Sequence, residues 1–488
     1  MANLPYSIEK WRQHVATDPL EGHDIFSLRD SATAVSMEPS FCTGNGLNIL
    51  RSYICPDIET ADQEVVFVTC FWATKSESRL RVCDALRTLS EKVVKQREAR
   101  PNAMIENIKV YICISSTSLL QKLRHTQSED GYIYDPGEWN EKLGLPTPKE
   151  IPGLDLIVKS IFVRPFSVMH PKFVIVDRKF VWVPSCNVSW ESWYEGAFRL
   201  KGSIVEKFYK FWEEFWNPAI VHEVGEIAFP DMSDVNLPLL NDDDDGGGGR
   251  SYARLGRLVK SFPDIPANGE IQTLFLPSSH HQNPRLRPCI FRRPSTEPRT
   301  PLNAFTKFLF ANAERDIYII TPNITAKPVI QGLVKALQRG VNVTIVTNTN
   351  LMVIEQIVTA GTTTTACIKY LRRLHKSVLQ EWTKTSEIEA RAGAKKPGKL
   401  TIRDWKVANP GDDISGESAI AKSHLKLTVV DRKVILFGSG NMDRASWYTS
   451  QEVGVALYST EVAKKVLDGE ILEDSEKYSR NFYESHEA

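Results

Sequence analysis

Two hydrophobic periods alternate along the chain. Residues 63–73, QEVVFVTCFWA, form a nearly continuous apolar run of strand length, and residues 77–96, ESRLRVCDALRTLSEKVVKQ, space their apolar positions three and four apart, which predicts a helix. Residues 108–116, IKVYICISS, predict a second strand. The same order returns far down the chain in 314–323, ERDIYIITPN, then 327–340, KPVIQGLVKALQRG, then 341–349, VNVTIVTNT. One strand, helix, strand unit in each half predicts an α/β fold made by duplication. Residues 241–250, NDDDDGGGGR, join a run of like charge to four glycines and have no apolar surface to bury, so they read as a linker or exposed loop. The chain divides there into 1–240 and 251–488. The aromatic stripe of VEKFYKFWEEFW, residues 205–216, has helical spacing and is expected to pack on a sheet rather than face a membrane.

A second repeat is sharper. HPKFVIVDRKFVWVPSCNVSWESWY, from His170, and HLKLTVVDRKVILFGSGNMDRASWY, from His424, align without a gap at an offset of 254, with 11 of 25 pairs identical. Random pairing of ordinary compositions gives about one or two. Polar residues persist while their apolar neighbours drift, as at Trp182 and Leu436, so more than a shared hairpin is being kept. Each copy reads as strand, tight turn and return strand. His170 and Lys172 share a face because strand side chains alternate, whereas Asp177 has the other parity and sits at the turn, where it braces backbone. Ser185 and Asn187 share a face on the return strand.

Composition limits what that pattern means. A chain of 488 residues, 42% hydrophobic and 25% charged, is a globular protein too long for one ordinary core. Lys plus Arg and Asp plus Glu are both 60, so no overall field draws in a polyanion, and nucleic acid is the less favoured partner. The eight cysteines are scattered, several in strand-like runs, with no paired metal spacing, and read as reduced core residues of a cytoplasmic protein. The N-terminus lacks the pattern of a signal peptide, and no apolar run is long enough to span a membrane. Arg285, Arg287, Arg292 and Arg293, and separately Lys369, Arg372, Arg373 and Lys376, are basic clusters that read first as solvated faces and second as contacts to anionic headgroups or phosphates. His280 and His281 lie outside both repeats and read as loop.

Two hairpins facing each other would gather two imidazoles, two ammoniums, two hydroxyls and two carboxamides at one point. That set suits a phosphoryl group: ammonium and amide donors hold its oxygens, and paired imidazoles attack and protonate, with no metal or other cofactor needed. The pattern His-x-Lys-x4-Asp followed by Ser-x-Asn, present twice, resembles the phospholipase D superfamily, and GSGNMDRAS is most similar to its cardiolipin-synthase-type branch. The resemblance implies two fused βαβ halves forming a pseudo-dimer, with helices packed on mixed sheets and one active site at their interface. It implies a catalytic set of His170, Lys172, Asp177, His424, Lys426 and Asp431, with His170 as nucleophile and His424 as acid and base. Ser185, Asn187, Ser439 and Asn441 would hold the phosphate. Glu195 and Glu452 would each orient an imidazole, although they are 257 residues apart rather than 254. A second departure is Pro184 where the other copy has Gly438. The expected substrate is a glycerophospholipid, cleaved or transferred through a phosphohistidine by a cytoplasmic enzyme in peripheral contact with membrane. A nuclease using the same chemistry and a catalytically silent lipid-binding protein are the alternatives.

Overall fold

The computed structural model describes residues 4–17, 33–117, 131–163, 167–217, 258–259, 269–279, 296–388, 395–406 and 422–485. The 241–250 segment, the arginine cluster 285–293 and His280-His281 lie outside them. After helix α1 (Ile8–Ala16), the first half runs β1 (Thr33–Asn45), β2 (Glu64–Phe71), α2 (Glu77–Ala99), β3 (Ile108–Ser116), β4 (Leu154–Ser160), β5 (Phe173–Val176), β6 (Phe180–Pro184), β7 (Tyr194–Lys201) and α3 (Ile204–Trp216). The second half runs β8 (Glu270–Ser278), α4 (Pro301–Asn312), β9 (Asp316–Ile320), α5 (Lys327–Gln338), β10 (Asn342–Thr347), α6 (Val353–Ala360), α7 (Thr364–Ile388), β11 (Leu400–Trp405), β12 (Leu427–Val430), β13 (Val434–Gly438), β14 (Glu452–Tyr458) and, at the sheet edge, β15 (Ser479–Glu484).

Strand pairing repeats the duplication. In the first half β2, β3 and β4 are parallel neighbours, and β2 continues antiparallel through β5, β6 and β7 to β1. In the second half β9, β10 and β11 are parallel, and β9 continues antiparallel through β12, β13 and β14 to β8. β1 and β8 then pair antiparallel from Thr33 opposite Leu274 to Met37 opposite Glu270, joining the halves into one mixed sheet. The expected α/β pseudo-dimer is thus also continuous in its hydrogen bonding. Strands buried on both faces carry nearly continuous apolar runs, as β2 and β5 do, and helices cover them.

The cores explain why the halves hold together. A central cluster draws from both: Phe198 lies 4.6 Å from Phe41 and 5.1 Å from Phe437 between ring centroids, and Phe208 lies 5.2 Å from Phe173 and 5.0 Å from Phe275. The aromatic stripe of α3 supplies this layer, with Phe208, Phe211, Trp212 and Trp216 buried, as its spacing predicts. The chain order does not divide the cores at 240. α1 packs on the second half, with Trp11 5.1 Å from Phe305. Its polar residues mask this partner in the sequence, because three buried positions, Ile8, Trp11 and Val15, suffice for so short a helix.

Candidate active site

Each hairpin turn is built the same way and fixes the strand that delivers the histidine. Asp177 and Arg178 have φ of 50° and 55°, and Asp431 and Arg432 have φ of 52° and 53°, the signature of a two-residue turn with both central residues left-handed. Non-glycine residues avoid that region unless something compensates. Here the aspartates do. Asp177 accepts from the backbone N–H groups of Asp62, Gln63 and Glu64 at 2.8 to 3.1 Å. Asp431 accepts from Glu314, Arg315 and Asp316 N–H at 2.8 to 3.0 Å and from the Tyr6 hydroxyl at 2.8 Å. Membership of Asp177 and Asp431 in the catalytic set is therefore corrected. They stand at the turn end of their strands, seven residues and up to about 20 Å from the histidines, and lock the hairpin to the start of β2 or β9.

At the other end of the hairpins the halves cross over. His170 N donates to Gln451 O at 3.0 Å, and His424 N donates to Tyr194 O at 2.8 Å. Each histidine is thereby laddered to the residue just before the other half's glutamate. His170 Nδ1 lies 2.9 Å from Glu452 Oε2, and His424 Nδ1 lies 2.8 Å from Glu195 Oε1. The offset of 257 between the glutamates is now explained. A one-turn helix, Arg444–Tyr448, occupies the second copy where the first has none, and its N-cap Asp443 accepts from Ser446 N at 2.9 Å. Structural equivalence therefore shifts by three residues after the asparagines, and Tyr194 corresponds to Gln451 rather than to the identical Tyr448. Trp193 lies 5.1 Å from the His424 ring, whereas Trp447, its partner at offset 254, is buried in the second half's core.

The serines serve the glutamates. Ser185 Oγ donates to Glu195 Oε2 at 2.5 Å and accepts from Gly196 N at 3.0 Å. Ser439 Oγ donates to Glu452 Oε2 at 2.5 Å and accepts from Val453 N at 3.0 Å. The expectation that Ser185 and Ser439 face the phosphate is corrected: both are buried with donor and acceptor engaged. Beside Ser439, a Cβ on Gly438 would lie 2.2 Å from Val453 O, so glycine is required there; Pro184, at the same point of the first half, pairs with Ala197 as Gly438 pairs with Gly454.

The asparagines and lysines are placed differently. Asn187 Oδ1 and Asn441 Oδ1 are buried and accept no hydrogen bond, which leaves polar atoms in need of a partner. Lys172 Nζ donates to His170 O at 2.9 Å and Lys426 Nζ to His424 O at 2.6 Å, each using one of three protons. A cavity of about 30 Å³ is lined by Lys426 and Asn441, among others.

The electrostatics put these groups in one site. Burial lowers the pKa of His170, opposed by Glu452 and reinforced by the charges of Lys172 and Lys426. Burial takes His424 down to about 4, opposed by Glu195 and reinforced by both lysines. Burial pushes Glu195 and Glu452 up, but the facing imidazole together with a serine hydroxyl on each carboxylate, and with Lys426 at Glu195, holds both carboxyls below their ordinary value. The site thus carries ionised carboxylates and neutral imidazoles with the proton on Nδ1, which leaves each Nε2 with a lone pair. Burial also brings Lys426 down to about 7, against the pull of Glu195. Crowded, desolvated groups of this kind mark a candidate functional site.

Residues 308–469 match the family model for a cardiolipin synthase, PLD-like domain. No curated protein matches the chain by sequence. Among solved structures, the chain is similar to phosphatidylserine synthase of Haemophilus influenzae Rd KW20, with 15% identity, 93% of this chain and 90% of that one covered, and a TM-score of 0.51. It also aligns with Nuc of Salmonella typhimurium, a phospholipase D family member, at 17% identity over 37% of this chain and 89% of that one, TM-score 0.25. With polyphosphate kinase from Porphyromonas gingivalis the figures are 9%, 88% and 46%, TM-score 0.44. The first of these shows a shared fold; the other two superpose too loosely to bear on it.

Proposed function

We propose, from the match of residues 308–469 to a cardiolipin synthase, PLD-like domain and from the paired motifs, that the chain is a phosphodiesterase or phosphatidyltransferase of the phospholipase D type, which acts on a glycerophospholipid through a phosphohistidine at one site shared by its halves. The crossed histidine-glutamate pairs carry this reading, since each imidazole is oriented only when both halves are present. The phosphate oxygens sit against Lys172, Lys426 and the carboxamides of Asn187 and Asn441, whose charge and donors take the place a metal would fill.

His170 has 13% of its side chain exposed against 6% for His424, so it is the imidazole a lipid phosphate entering from solvent meets first. Its Nε2 lone pair attacks phosphorus, and the bond to the leaving alcohol breaks. His424 gives its Nε2 proton to that oxygen. The bound phosphodiester anion raises the depressed His424 pKa, so the acid acquires its proton as substrate arrives. In the second half of the cycle His424 takes a proton from water or an acceptor alcohol, whose oxygen attacks phosphorus, and the P–N bond breaks to restore neutral His170. Glu452 and Glu195 hold the Nδ1 protons throughout. Among the described residues no helix is long and apolar enough to cross a membrane, so a lipid would be met at a surface.

Purified protein incubated with mixed phospholipid vesicles, and separately with labelled DNA and RNA, tests the substrate class by mass spectrometry of the products. The expected product is phosphatidic acid, diverted in part to a phosphatidyl alcohol when a primary alcohol is added. Cleaved nucleic acid with untouched lipid would overturn the reading in favour of a nuclease.

A further inference from the structure

Helix α6 is built inside out. Its buried side chain is the polar Gln356, which donates to Asn323 Oδ1 at 2.8 Å and accepts from Thr364 N at 2.5 Å. Its apolar side chains face solvent: Ile354 is 80% exposed, Ile357 54% and Val358 50%. At about 100° per residue these three fall within one arc opposite Gln356. Met352, just before the helix, is 40% exposed and held at φ 51°, a left-handed conformation uncommon for a non-glycine residue. Ordinary surface helices show the reverse arrangement, and a contiguous exposed apolar patch marks something that covers it.

The patch is tied to the second motif. Asn348, at the end of β10, bonds both the N–H (3.1 Å) and the C=O (2.8 Å) of Ser423, the neighbour of His424. Arg444, three residues past Asn441, donates to Thr359 O of α6 at 3.3 Å. The helix therefore rises from the same framework that positions His424 and Asn441.

Charge indicates what covers it. α7 begins after Gly361, Thr362 and Thr363, and presents Lys369, Arg373 and Lys376, spaced four and three apart on one exposed stripe. Among the described residues none of the three is in a salt bridge. Arg372, by contrast, turns inward over the Tyr483 ring, 5.8 Å from its centroid. One acidic residue, Glu355, is exposed on α6. A second copy of the chain seated symmetrically on this face would bring cations toward cations, whereas an anionic lipid surface offers both an apolar layer and negative headgroups.

We propose that α6 and the basic stripe of α7 form an interfacial docking element, in which Met352, Ile354, Ile357 and Val358 enter an anionic bilayer surface while Lys369, Arg373 and Lys376 meet its headgroups, seating the site beside His424 on its substrate. This rests on the lipid reading above, and its test separates the two. The full chain is sedimented with vesicles of phosphatidylcholine alone or mixed with phosphatidylglycerol. Ile354→Ser/Ile357→Ser/Val358→Ser should weaken binding to the mixed vesicles by at least about tenfold. Lys369→Gln and Arg373→Gln should each weaken it by about fivefold, only on the anionic vesicles and less at high salt. Turnover of bis(p-nitrophenyl) phosphate, a soluble probe, and the thermal melt should be unchanged in all three, which controls for folding.

Equal binding by wild type and variants, or no binding by wild type, would overturn the docking element. A wild-type dimer in sedimentation velocity that the triple serine variant abolishes would overturn it in favour of a second copy. Vesicle binding that follows these side chains, with no lipid turnover, would support docking and remove the substrate reading alone.

Discussion

Glu452 Oε2 lies 2.9 Å from Nδ1 of His170, 282 residues earlier in the chain, and Glu195 Oε1 reaches His424 in the reciprocal sense at 2.8 Å. An imidazole held this way keeps its proton on Nδ1 and its lone pair on Nε2, and an adjacent carboxylate stabilises the imidazolium whenever one forms. Because the pairs cross, the chemistry of each half depends on a carboxylate from the other.

Glu452→Gln keeps the volume and removes the charge. It is expected to lower kcat by about 100-fold or more while leaving KM and the thermal midpoint nearly unchanged. Steady-state kinetics with a melting curve check this, and an unaltered kcat would mean that the pair is only structural.

Ser439→Ala removes the hydroxyl that steers Glu452 and should act through kcat, by about tenfold. Asn441→Ala removes a group whose oxygen is buried without a partner and should act through substrate binding as well. A rise in KM without loss of kcat in Ser439→Ala would return that serine to the phosphate.

Asp431→Asn should cost stability instead of chemistry. Four donors converge on its carboxylate, and the loss of charge is expected to destabilise by about 2–4 kcal/mol. Denaturant titration reads this, with kcat per folded molecule unchanged. A large kcat loss in a fully stable variant would restore a catalytic role.

With a p-nitrophenyl phosphodiester, whose leaving group scarcely needs the His424 acid, the pH profile follows from two signs. His170 must be neutral to attack, so kcat/KM falls as pH drops through its pKa, which burial holds below the ordinary 6.5. Lys426 must be charged to receive the phosphate, so kcat/KM also falls as pH rises through about 7. Lys426→Arg keeps its proton across this range and should move the alkaline limb upward, even at reduced activity. An alkaline limb that stays in place would belong to another group.

The strand and helix order of both halves, the hairpins and the paired histidines and lysines were legible because period and polar identity survive in the sequence. The crossing was not. Nothing in a linear offset says that Glu452 faces His170 and not His424, since single backbone bridges between the halves leave no mark on local pattern. The identical Tyr194 and Tyr448 even mislead, because a three-residue insertion moves the equivalence to Gln451. The serines were misread because parity places them on the asparagines' face but does not reveal that a glutamate arrives there first. α6 was unread as well, since its exposed isoleucines carry the spacing of a buried face.

The phosphohistidine itself tests the account most directly. A p-nitrophenyl phosphodiester has a leaving group that scarcely needs an acid, so His424→Ala is predicted to release one equivalent of p-nitrophenolate in a burst and then stall, with no base left to activate water. Peptide mapping should find the phosphoryl adduct on His170, and His170→Ala should show no burst. A burst from His170→Ala with the adduct on His424 would exchange the two roles. Multiple turnover with no adduct in either variant would mean direct attack by water and would contradict the covalent mechanism.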